Sequence, residues 1–146
     1  MIQRPTNNVA GGTLIPPNAM PTFSDTNSFK VVRVVGNLTS SMLSNVANTG
    51  GRGILIVTGG ISTTGNNFTW RGVVMVGNDI TGNGNNNIQG AVLSALNAKL
   101  GQSVPIDTVN GTKTYQYNSC NVYKSMVQVG ALVPLSNTWV DNWVEY

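Results

Sequence analysis

Few side chains in this chain are equipped for chemistry. Histidine is absent, and Asp and Glu together number five. The commonest neutral-pH acid/base and the commonest imidazole metal ligand are therefore missing. Asp141 and Glu145 lie four residues apart and share a face if that stretch is helical. This is the crude signature of a carboxylate pair, which glycosidases hold about 5–9.5 Å apart around a sugar. Their position near the last residue favours a solvated pair instead. Asp79 stands alone where calcium-binding repeats need several carboxylates. Cys120 has no His to activate it and is expected to be a small buried hydrophobe opening a helix. No catalytic, metal-ligating or cofactor-binding residue is assigned, and the chain is not expected to be an enzyme.

Binding chemistry has one better candidate. Arg52 and Arg71 each precede a glycine that begins an equivalent apolar run, and Gln89 is next in line. Two guanidinium groups stacked beside Trp70 are suited to an acidic sugar or a phosphate; the alternative is a solvated corner with two splayed cations. Trp70, Trp139 and Trp143 are candidates for stacking on sugars, with core or capping duty as the competing role. The run GNGNNN at 82–87 lacks the spacing of a phosphate-binding loop, and no Lys follows it. Asn37, Asn67 and Asn110 each head an Asn-x-Thr sequon, which is a glycan acceptor only on a eukaryotic secretory route.

The rest of the composition says what must position these groups. At 146 residues the chain is one domain in size, and a single Cys leaves no internal disulfide. Charged residues make up 9%, with a net charge of +3, against about 25% charged residues in an average domain. The basic residues are scattered from Arg4 to Lys124, unlike the clustered footprint of a nucleic-acid binder. No apolar run approaches the roughly 18 residues of a membrane span, and the opening MIQRPTNN lacks a signal-peptide core. Asn occurs 20 times and hydrophobic residues make up 40%, arranged in short Val-rich runs. A folded, turn-rich β chain is the expectation.

Residues 1–28, with Pro5, Pro16, Pro17 and Pro21, read as an extended arm. Residues 29–119 carry the β body, and 120–146 a helix with a Trp-containing cap. Within the body RGILIVTGGISTTGNNFTW (52–70) is followed by RGVVMVGNDITGNGNNNI (71–88) and QGAVLSALN (89–97). Ile54, Val73 and Ala91 align, as do Leu55, Val74 and Val92; Ile61 aligns with Ile80, and Trp70 with Ile88. FKVVRVVGNL is an earlier degenerate unit and TKTYQYNS a later one. A period near 20 without a long helix points to a short β-solenoid, or β-helix, of three to five coils with a C-terminal capping α-helix; an antiparallel β-sandwich is the alternative. SSMLSNVANTGG reads as a short helix. Residues 88–101 fit a helix by spacing, but the repeat makes 91–94 a strand. The helix of 120–135 is expected to be capped by Ser119 or Asn121, with Val122, Met126 and Val129 on one face.

The stretch 53–93 resembles the C-terminal β-helical region of PilX-like bacterial minor pilins and related bacterial surface proteins, and the matching segments are 52–97 and 115–143. The shared features are a Gly-led apolar strand, the corner GNNFTWRG and the sequence GNGNNNIQGAV. YQYNSCNV (115–122) and the ending TWVDNW are similar to the C-terminal signature of that group. The resemblance implies a structural module of a bacterial surface or extracellular filament, mediating assembly or adhesion. Its implied partners are other copies of itself, other pilus subunits, or a surface polysaccharide. The prepilin helix of such proteins is not found from Met1 onward, so the resemblance implies a tail of a longer protein or another use. A polysaccharide- or ice-binding module is the alternative function. An incompletely capped end before Val31 is expected to dock on a neighbouring copy or on more of the same protein.

Overall fold

A computed structural model describes residues 20–21, 23, 27–43, 50–63, 67–103 and 112–127. The strands are β1 (Lys30–Val34), β2 (Gly51–Val57), β3 (Ile61–Ser62), β4 (Phe68–Val76), β5 (Ile80–Thr81), β6 (Asn86–Leu93) and β7 (Lys113–Gln116). Two helices complete the described elements, α1 (Leu96–Lys99) and α2 (Ser119–Val127). The long strands form one five-stranded sheet in the order β1-β2-β4-β6-β7, and β3 pairs with β5. Each of these pairings is parallel.

The register is that of the sequence repeat. Val31, Ile54, Val73 and Ala91 are successive partners, as are Val32, Leu55, Val74 and Val92. Alternation along each strand then sorts the side chains. Val32, Val34, Leu55, Val57, Phe68, Trp70, Val74, Val76 and Ile88 face one way into the main core, with Leu38, Leu43, Ile61 and Ile80 across from them. Met20 and Phe23, from the segment read as an arm, pack into this same core. Phe23 meets Trp70 edge-on, with ring centroids 5.6 Å apart.

The other face is also covered, and this corrects the expected architecture. Val31, Ile54 and Val73 are only 8%, 5% and 5% exposed, with Val122 of α2 packed against them. An outward aliphatic row of that kind must be shielded from water, and α2 lies across the sheet's face to do so. The helix is therefore no cap on the end of a column. The second sheet is also too poor for a stack of three to five coils, since it consists of two strands of two residues each. A solenoid is not what forms. The antiparallel sandwich finds no support either, because the pairings run parallel. A mainly-β chain remains, built on a parallel sheet with α2 on its outer face.

Three glycines share one level of the ladder, and one of them makes room for that helix. Gly53, Gly72 and Gly90 are partners in register and all have left-handed φ, at 114°, 133° and 159°. A Cβ on Gly72 would overlap the Gly53 carbonyl and the Ser125 hydroxyl of α2. Ser125 is fully buried, and its hydroxyl donates to the Asn121 carbonyl at 2.7 Å. The Asn121 amide donates to the Gln89 carbonyl on β6 at 3.0 Å. The cap is Asn118 rather than Ser119 or Asn121: its Oδ1 accepts from the Asn121 N–H at 3.0 Å. Met126 is exposed rather than on the buried face, and Val129 lies outside the described residues. Residues 91–93 are strand, as the repeat requires, and α1 follows. Of the short helix expected at 40–51, residues 40–43 form a turn and 44–49 lie outside the described residues.

Candidate interaction surface at the β7 edge

The three residues expected to bind a ligand are not brought together. Arg52 and Arg71 are partners in the ladder, followed by Gln89, as their spacing implied. They point to the outer face, where Arg52 is 7% exposed and Arg71 half-buried. Trp70, the neighbour of Arg71 in sequence, points the opposite way. It is fully buried, stacks near Phe68, and donates its indole N–H to the Gly53 carbonyl at 3.0 Å. Gly51 carries no Cβ, and a Cβ there would overlap the Trp70 ring. Trp70 is thus a core side chain. The guanidinium pair remains chemically suited to an anion, with Arg71 the more accessible of the two.

The other candidates divide in the same way. Cys120 is exposed in the first turn of α2, not buried. It borders a shallow concavity of about 350 Å³ with Ser119, Tyr123 and Lys124. Asp79 is the one carboxylate side chain among the described residues, and its Oδ1 accepts from the Ile80 N–H at 2.7 Å. Trp139, Trp143, Asp141, Glu145 and Asn110 lie outside the described residues. Among the described residues no three His, Cys, Asp or Glu side chains cluster to hold a metal ion, and no helix is long and apolar enough to cross a membrane. Three threonine hydroxyls are engaged within the fold. Thr58 accepts from the Gly36 N–H, and Thr63 and Thr81 donate to carbonyls across the β3–β5 pair.

The later repeat unit TKTYQYNS forms strand β7 (Lys113–Gln116), and what sequence reasoning did not anticipate is its place at the end of the strand order. Lys113 opens it, donating its ammonium to the carbonyls of Gly82 at 2.9 Å and Gly84 at 2.8 Å. Partial burial there pushes the Lys113 ammonium below the usual lysine range. The corner 82–84, within the run rejected as a phosphate-binding loop, thus anchors the start of β7. Beside it Asn86 is buried, with neither side-chain atom hydrogen-bonded. Tyr115 is partnered in the ladder with Ile88 and is 47% exposed. Burial pushes its phenol up, the nearby Asn86 amide works against that rise without reaching hydrogen-bond geometry, and Asp79 adds to it. Tyr117 follows at 74% exposure. Tyr123, on α2, is exposed too and also lines a second concavity of about 210 Å³ with Asn27, Phe29, Lys124 and Val127. Exposed aromatic side chains beside an edge strand are a feature that protein interfaces are enriched in. The only sequence signal for it was the run YQY, two tyrosines at strand spacing.

The chain matches no protein-family model, no curated protein and no solved structure.

Proposed function

We propose that this chain is a non-enzymatic structural module of a bacterial surface or extracellular filament, acting in assembly or adhesion. The observation that carries this reading is the edge strand β7, exposed along most of its length and flanked by Tyr115 and Tyr117. Edge strands are templates for pairing, and a protein that does not blunt one commonly uses it. The resemblance of residues 52–97 and 115–143 to minor-pilin tails supports the same reading. So does a surface with few charges, where little repulsion opposes association. Immunogold labelling of the producing cells, with blotting of the sheared filament fraction, is the direct test. Label on the cell surface or along filaments is the expected outcome. Label confined to the cell interior, with none in the sheared fraction, would refute the proposal.

A further inference from the structure

We propose that Asn83 is a site of spontaneous deamidation and isomerisation, and that the isoaspartate formed there loosens the start of β7. The site lies in the run GNGNNN, which the proposed function leaves unused, and it does not depend on that function. The chemistry needs a side-chain amide and, on its C-terminal side, a backbone nitrogen able to reach it. Asn83 is exposed and is followed by Gly84. A glycine has no Cβ to obstruct the approach of its own nitrogen. The chain has one other Asn-Gly pair, Asn110-Gly111, which lies outside the described residues.

The fold sets Asn83 apart from other asparagines. Asn37, Asn67, Asn85, Asn97 and Asn121 are each followed by a residue whose N–H is held in a backbone hydrogen bond. The Leu38 N–H donates to the Gly60 carbonyl at 2.8 Å, that of Phe68 to Asn85 at 2.9 Å, and that of Asn86 to Thr112 at 3.0 Å. Those of Ala98 and Val122 donate to Ala95 and Asn118, at 3.1 Å each. A nitrogen engaged in this way must first give up its bond before it can turn toward the preceding side chain. Among the described residues, no such bond holds the Gly84 N–H.

The step transfers no electrons to or from another molecule. The Gly84 nitrogen attacks Cγ of Asn83, its proton passes to water, and the Cγ–Nδ2 bond breaks as ammonia leaves. One water molecule then opens the resulting succinimide ring. Opening at Cγ gives aspartate. Opening at the main-chain carbonyl of residue 83 gives isoaspartate, whose backbone runs through the former side chain.

The position of Asn83 gives that product a structural consequence. Lys113 donates its ammonium to the carbonyls of Gly82 at 2.9 Å and Gly84 at 2.8 Å, so residue 83 spans the two acceptors. Isoaspartate inserts one more carbon between them and pulls them out of the spacing that a single ammonium bridges. Lys113 is the first residue of β7, the shortest strand of the five-stranded sheet. Losing that anchor therefore falls on the strand with the fewest ladder bonds to replace it.

The test incubates the full chain for days in neutral buffer beside its Asn83→Gln variant, with freshly purified Asn83→Asp as a charge control. Folding is checked by far-UV circular dichroism. Glutamine closes the corresponding larger ring far more slowly, and aspartate carries the new charge on an ordinary backbone. Peptide mass spectrometry should find a gain of one mass unit at Asn83, with fragments diagnostic of isoaspartate. The asparagines followed by a bound N–H should convert at least about tenfold more slowly. In the isoaspartate fraction the amides of Lys113–Gln116 should exchange about tenfold faster than in fresh protein, as expected when a hydrogen bond to a charged group is lost. Incubated Asn83→Gln and fresh Asn83→Asp should keep the rates of fresh wild type. An Asn83 that stays intact would overturn the proposal, as would conversion no faster than at the other asparagines. Isoaspartate at 83 with unchanged exchange in β7 would also overturn it, and so would equal acceleration in fresh Asn83→Asp.

Discussion

Tyr115 and Asn86 show how a single polar neighbourhood sets a property of the β7 edge. Half the Tyr115 ring is out of water, so its phenolate is disfavoured and its phenol ionises above the usual tyrosine range. In the unfolded chain the same phenol ionises near about 10. Because the folded pKa is the higher one, the stabilisation tied to the neutral phenol is fully present below about pH 10 and drains away as pH rises toward the folded value. Urea midpoints should therefore fall above pH 10 in wild type and fall less steeply in Tyr115→Phe. Parallel curves for the two proteins from pH 9 to 11 would contradict this account of Tyr115. Asn86 adds a second lesson at this scale. A buried amide without a hydrogen bond costs about 1–3 kcal/mol, so its burial between Phe68 and Lys113 in the ladder is tolerated only because the neighbouring strands bury so much apolar surface.

Among the elements, α2 depends most on a match between distant parts of the chain. It approaches the sheet most closely at Gly72, where Ser125 occupies the space that a side chain would fill. Gly72→Ala combines a left-handed backbone angle with overlap at Gly53 and Ser125, and it should cost about 3 kcal/mol. Gly36→Ala is the control: it is also left-handed, at φ 88°, but nothing lies within 4 Å of the added methyl. It should cost about 1 kcal/mol, the left-handed penalty alone. Thermal melts of both variants decide this, and equal losses would mean that α2 is not seated on Gly72. The strand register was legible in the sequence because identical residue types recur at the same step, Gly53, Gly72 and Gly90 above all. The seat of α2 was not, because a helix pattern reveals an apolar face without saying where that face lands. The solenoid expectation failed at this point. It placed the C-terminal helix as a cap on the end of a column, whereas Val31, Ile54 and Val73 on the sheet's outer face needed cover. The separation of Trp70 from Arg71 was derivable, since adjacent strand residues face opposite sides. The β7 edge was not, because an edge strand is defined by a missing neighbour and leaves no pattern of its own.

At the scale of the whole molecule, β1 to β6 share one main core with Met20 and Phe23, while the outer cluster backs onto the same sheet. No strand of the main sheet can keep its pairing while its neighbour unfolds, because each pairing joins segments distant in sequence. The chain should therefore unfold as one cooperative unit, with a stability of roughly 5–15 kcal/mol. Val74 lies at the centre of that unit, fully buried and in register between Leu55 and Val92. Val74→Asp would bury an unpaired carboxylate among aliphatic side chains, at a cost of several kcal/mol. Asn85→Asp introduces the same charge at an exposed corner whose backbone carbonyl accepts from the Phe68 N–H, and it leaves that bond intact. The first variant should lose its cooperative urea transition at 25 °C or shift it to much lower denaturant, while the second stays within about 0.5 kcal/mol of wild type. Small and equal shifts in both would mean that Val74 is not at the centre of a shared core, and the single-unit description would fall with it.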